Sequence, residues 1–111
     1  MNYKVEQIEI DDKCYDILIG KNAYGNEEII KKGHDESLWF HIDNCSSAHI
    51  ILQSCGDDIP KRYINEVAKM LFKKFDYVTR GKKVIYTKVK DVKMTNVTGT
   101  VTVKNTKTIR F

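Results

Sequence analysis

Only one stretch of the chain carries a long helical apolar stripe. Counting from Ile64, the residues Val67, Ala68, Leu71 and Phe75 follow at 3, 4, 7 and 11 positions, so all five share one helix face. Pro60 suits the start of this helix, and the pattern ends near Phe75. The opposite face holds Arg62, Glu66, Lys69 and Lys73 at steps of 4, 3 and 4, which lets Glu66 pair with either basic neighbour. An apolar stripe of this kind must be buried against another element. The flanking sequence on both sides is strand-like. A helix between two β-rich halves predicts an α+β fold, with a mixed or mainly antiparallel sheet packed by one long helix and one short helix.

The strands are read from alternation and from turn residues. Tyr3, Val5, Ile8 and Ile10 break phase after Val5, which suggests a first strand with a bulge. Asp11-Asp12-Lys13 is a turn, and Tyr15, Ile17 and Ile19 form a second strand ending at Gly20. Asn26 is the expected cap of a short helix that runs to Lys32 and closes at Gly33, with Glu27 and Glu28 in its first turn. Two carboxylates there would repel a phosphate. The runs Leu38–Ile42 and Ala48–Leu52, joined by Asp43-Asn44-Cys45-Ser46-Ser47, read as antiparallel neighbours. Val84–Val89 is a further strand, and Val92–Val97 is irregular. Thr100–Lys104 and Lys107–Phe111 read as a last hairpin around Asn105-Thr106.

A chain of 111 residues fits one domain, 1–111. It is long enough to bury roughly two-thirds of its unfolded surface. The opening MNYKVEQIEIDDK has no apolar segment of the signal-peptide kind, and no run approaches the ~20 apolar residues of a membrane helix. Cys14, Cys45 and Cys55 are odd in number and lack CxxC spacing, so reduced thiols and a cytoplasmic location are expected, with no membrane partner. Charge is distributed unevenly. Residues 1–58 hold 5 Lys+Arg against 12 Asp+Glu, a net −7, while residues 59–111 hold 14 against 3, a net +11. A basic half of this density suits a polyanion, although a solvated face with no partner would look the same.

The chemistry-bearing residues concentrate between Asp35 and Cys55. His41, Cys45 and His49, with His34 and Cys55 near in sequence, are zinc-ligand types, but steps of four suit a helix and this stretch reads as strand–loop–strand. Ser47, His49 and Asp35 or Asp43 could compose a hydrolase triad, yet no GxSxG surrounds Ser47. GKNAYGNE lacks the GxxxxGK[ST] order, which leaves Lys21 as a point charge for phosphate. If His41 pairs across from His49, then Trp39 faces Ile51 and all four share one face of the sheet. Such a Trp/His patch is either a semi-buried hydrogen-bonded network or a surface on which bases stack.

The order of motifs is more specific than any one of them. IGKNAYGNEEIIKKG is followed by LWFHIDNCSSAHIIL, a helix with a central Ala68, and then Tyr86, Asp91, Lys93 and Gly99. This resembles the NFACT-R domain, the RNA-binding module of the NFACT ribosome quality-control proteins, which also occurs as a standalone domain. The resemblance spans roughly residues 15–103. Its positions here are Gly20, Lys21, Asn26, Trp39, Phe40, His41, Ser47, His49, Ala68, Tyr86, Asp91, Lys93 and Gly99. Ser37 and Leu38 stand where the family usually has an acid before the Trp. The resemblance implies a non-enzymatic, chiefly RNA-binding module of translation, with tRNA or ribosomal RNA as partner and no cofactor.

The candidate nucleic-acid contacts are therefore Lys21, Trp39, His41, Ser47, His49, Arg62, Lys69, Lys73, Arg80, Lys82, Lys83, Lys90 and Lys93. No catalytic or metal-binding residue is assigned. Alternatives are a DNA-binding module, a hydrolase or nuclease using His41 and His49, and docking of the acidic half on a ribosomal protein.

Overall fold

The computed structural model describes residues 2–75 and 81–111, the side chains of 73–75 excepted. In chain order the elements are β1 (Tyr3–Ile10), β2 (Lys13–Gly20), α1 (Ala23–Lys32), β3 (Leu38–Ile42), β4 (Ile50–Leu52), α2 (Lys61–Lys69), β5 (Lys83–Lys88), β6 (Val92–Met94), β7 (Val101–Val103) and β8 (Lys107–Arg110). A 3-10 stretch, Met70–Phe75, continues α2 without a break. Six strands form one sheet in the order β1-β2-β4-β3-β5-β8, and β6 with β7 forms a separate ribbon. Every described pairing is antiparallel, so the fold is α+β with no parallel component among the described strands.

The sheet is buried on both faces. α2 and its 3-10 continuation cover one, where Ile64, Val67, Ala68, Leu71 and Phe72 meet Phe40, Ile42, Ile50, Leu52 and Val84. The predicted helix stripe is thus confirmed through Leu71, and the Phe75 side chain lies outside the described residues. α1 and the β6–β7 ribbon cover the other face, where Ile29, Ile30 and Val92 meet Leu18, Trp39 and Ile51.

This two-sided burial explains two misreadings of the sequence. The bulge expected in β1 is absent, since pairing with β2 runs unbroken from Tyr3↔Gly20 to Ile10↔Lys13. Tyr3 packs into the α1-side core and Ile10 into the α2-side core, so the phase change records a change of face. Asp11 and Asp12 both take positive φ (50° and 68°), the two-residue turn that matches strand twist. The expected final hairpin also does not form. β7 pairs with β6, whereas β8 pairs with β5 at the far edge of the main sheet. Val101 and Val103 pack on one core and Ile109 on the other, so the chain must change layers between them. The Thr87 hydroxyl holds that crossing by donating to the Lys104 carbonyl at 2.9 Å.

α1 is capped four residues earlier than expected. Asn22 is the N-cap, and its Oδ1 accepts from the Gly25 N–H at 2.9 Å. Asn26 lies inside the helix, buried, with Oδ1 accepting from the His49 N–H at 3.1 Å. Glu27 and Glu28 consequently leave the first turn, which holds no acid. The predicted repulsion of a phosphate at this helix start does not apply.

Candidate functional site

The β3–β4 pairing aligns Trp39 with Ile51 and Phe40 with Ile50, a register that carries His41 opposite His49 one step further. The two imidazoles meet edge to face at 4.9 Å between centroids. His41 also stacks nearly parallel on the Trp39 indole at 5.7 Å. The Trp39 Nε1–H donates to His49 Nδ1 at 3.2 Å. An indole nitrogen can only donate, so Nδ1 accepts and the proton of the neutral ring sits on Nε2. Burial pushes the His49 pKa down to about 3, with the neighbouring His41 adding to the effect. Burial also lowers the His41 pKa, against the opposing influence of the Ile42 backbone and the Asp43 charge. Both rings are neutral at neutral pH.

Trp39 and His49 are 1% and 2% exposed, so neither offers a face to a base. The Trp/His patch is a hydrogen-bonded core network, and only His41 is partly open. Ser47 shapes the loop: its Oγ accepts from the Ile42 N–H at 3.2 Å and donates to the Ala48 carbonyl at 2.9 Å. That hydroxyl proton is committed to backbone, and the His49 nitrogen that could act as a base is committed to Trp39. The hydrolase triad therefore has no working geometry. Among the described residues, no three His, Cys, Asp or Glu side chains gather as a metal site.

These residues border an open cleft of about 600 Å3 between the sheet, the β2–α1 loop, the β3–β4 loop and the tip of the β6–β7 ribbon. It brings together Lys21, Trp39, His41, Ser47 and His49 from the expected set, and adds Asn22, Ala23, Asn26 and the Thr98–Thr100 tip. Two close approaches hold its walls. A Cβ on Gly20 would come within 2.0 Å of Asn26 Oδ1, and one on Gly99 within 2.6 Å of the Ala23 Cβ. Gly99 has φ +82° and donates its N–H to Glu27 Oε2 at 3.1 Å, which ties the ribbon tip to α1. No Asp or Glu is among the cleft's described lining residues.

The basic residues separate. Arg62 and Lys69 lie on α2, across the sheet from the cleft. Arg62 leans on the Tyr63 ring and sits 3.9 Å from Asp11, so the expected pairing with Glu66 gives way to a different carboxylate. Lys90 pairs with Glu36 at 2.9 Å, where Lys88 also binds at 2.7 Å, and the two ammonium groups hold the Glu36 carboxyl down at about 2. Lys82 and Lys83 stand at the start of β5 and Lys93 on β6. Arg80 and the Lys73 side chain lie outside the described residues. The +11 half is thus distributed over several surfaces. The sequence missed the true start of α1, whose signal is the Asn22-Ala23-Tyr24-Gly25 spacing of a capped first turn.

Residues 4–105 match the NFACT protein RNA-binding domain family, and the chain belongs to that family. It is accordingly a small α+β module of a nucleic-acid-associated family. Coiled-coil domain-containing protein 25 from Bos taurus is 38% identical over 66 residues, covering 56% of this chain and 32% of its own length. The Danio rerio protein of the same name is 41% identical over 59 residues, covering 50% and 28%. The chain spans about a third of the length of these relatives. The C-terminal part of the fibronectin/fibrinogen-binding protein from Streptococcus suis has the same fold, with a TM-score of 0.82 over 99% of this chain and 45% of that one, at 23% identity.

Proposed function

We propose that the module binds RNA in translation or ribosome quality control, with tRNA or ribosomal RNA as its partner. The observation that carries the reading is a cleft with no Asp or Glu among its described lining residues, in which Lys21 stands next to the start of α1 and the Ala23 N–H has no intrahelical acceptor. Helix starts attract anions through free N–H groups and the helix dipole. The exposed Lys69, Lys82 and Lys93 add phosphate attraction from other directions. Family membership favours RNA over a protein partner.

DNA is the second reading, favoured by the same cleft, because phosphate is common to both polymers. Binding of the whole chain to tRNA, single-stranded RNA and duplex DNA is measured across a salt series. A preference for tRNA or single-stranded RNA that persists at high salt supports the reading. Equal binding of all three, lost together with salt, contradicts the RNA preference, and no binding at low salt contradicts nucleic-acid binding altogether.

A further inference from the structure

Two buried side chains of the cleft, Asn26 and His49, each keep a free hydrogen-bond donor. Asn26 is 7% exposed and His49 2%. Asn26 Oδ1 is occupied by the His49 N–H, which fixes the amide so that Nδ2 carries the free hydrogens. His49 Nδ1 is occupied by Trp39, which leaves Nε2–H. Among the described residues, neither Asn26 Nδ2 nor His49 Nε2 has a protein acceptor. Among the described residues, the sealed side-chain polar atoms without partners are Ser54 Oγ and Asn65 Oδ1 only. The two free donors therefore remain accessible, and both residues line the cleft. The Ala23 and Tyr24 N–H groups begin a ten-residue helix and have no intrahelical acceptor, and Ala23 also lines the cleft.

We infer that the cleft seats the phosphate of one unpaired nucleotide, held by Asn26 Nδ2, His49 Nε2 and the Ala23 amide at the start of α1, with Lys21 at the rim. This deepens the nucleic-acid reading and rests on it. Two free donors side by side favour a group that accepts, and a phosphodiester offers two acceptor oxygens with a charge. The donors lie in a recess. The backbone of a single strand turns freely enough to lower one phosphate into it, while a duplex holds its phosphates in a regular outer row. The volume is that of a small-molecule site. Tyr24, 67% exposed and adjacent to the Ala23 wall, offers the adjoining base a ring on which to stack. Ribose and deoxyribose are not distinguished by these contacts.

Two near-isosteric variants test the seat. Asn26→Asp keeps an oxygen for the His49 N–H and replaces the free donor with a charged acceptor. His49→Asn keeps an acceptor for the Trp39 indole and removes the Nε2 donor. Ten-nucleotide single strands of RNA and DNA and a duplex of the same sequence are titrated into the full chain by fluorescence anisotropy, with thermal melting as a folding check. Both single strands are expected to bind at least tenfold more tightly than the duplex. Asn26→Asp should reduce single-strand binding at least tenfold, with duplex binding changed less than threefold. If Asn26→Asp melts early, His49→Asn decides, with an expected loss of at least threefold. Single-strand affinity unchanged in a folded variant overturns the seat. So does equal binding of duplex and single strand, and either result leaves nucleic-acid binding itself intact. Failure of every polymer to bind at low salt overturns both readings.

Discussion

Against α2, the sheet packs Phe40, Ile50, Leu52 and Val84 with aliphatic helix residues, and Phe40 stacks on Tyr86 at 5.5 Å. On the other face the same strands bury Trp39 beside His49, and the backbone of His49 meets the amide of Asn26. One face is held by shape and burial. The other is held partly by directional hydrogen bonds, and those bonds leave spare donors at a surface cleft. A buried polar network constrains which atoms remain free, so it can build a recognition site out of core residues. The apolar face has no comparable network, and its outer layer, the exposed side of α2, presents charged side chains such as Arg62, Glu66 and Lys69.

The largest expected effect breaks the comparison on its apolar side. Phe40→Ala, at a fully buried position, should cost about 3–5 kcal/mol in urea unfolding. A loss under about 1.5 kcal/mol would show that this face is not the packing centre. Trp39→Phe comes next. It removes the donor to His49 Nδ1 and some ring volume, for about 2–3 kcal/mol. Restoration of stability on adding His49→Leu would locate the cost in the orphaned nitrogen.

A pH series sharpens the same contrast. The folded His49 pKa, about 3, lies below the unfolded value near 6.5, so its contribution is fully present above pH 6.5 and is lost as pH falls toward 3. Between pH 7 and pH 5 the domain should lose about 2 kcal/mol through His49, and His49→Asn should flatten that slope. An unchanged slope in the variant would assign the loss to His41 or to carboxylates. The smallest effect belongs to the charged surface. Arg62→Glu and Lys69→Glu should each change stability by less than about 0.5 kcal/mol.

How far the sequence revealed this contrast depends on the kind of signal. The α2 stripe and the β3–β4 register were legible because periodicity alone specifies them. The alignment of Trp39 with Ile51 follows from two short runs and a tight loop. The exchange of faces along β1 and between β7 and β8 was not legible, since apolar residues read the same whichever core receives them. The start of α1 was misplaced because Asn22 and Asn26 are both good caps, and only the bond from the His49 N–H shows that Asn26 is interior. The basic half was visible as a count, but a count does not say that Lys90 is tied to Glu36 or that Arg62 lies across the sheet from Lys21.

The central claim is that the cleft, rather than the charged face of α2, receives nucleic acid. Two-dimensional amide NMR of the full chain with a single-stranded RNA ten-mer tests it most directly. The largest shifts are expected at Lys21–Asn26, at the Gly99 amide and at the Trp39 indole N–H, which senses any contact made through His49. Shifts centred on Arg62–Lys69, with the Lys21–Asn26 amides and the indole unmoved, would contradict it.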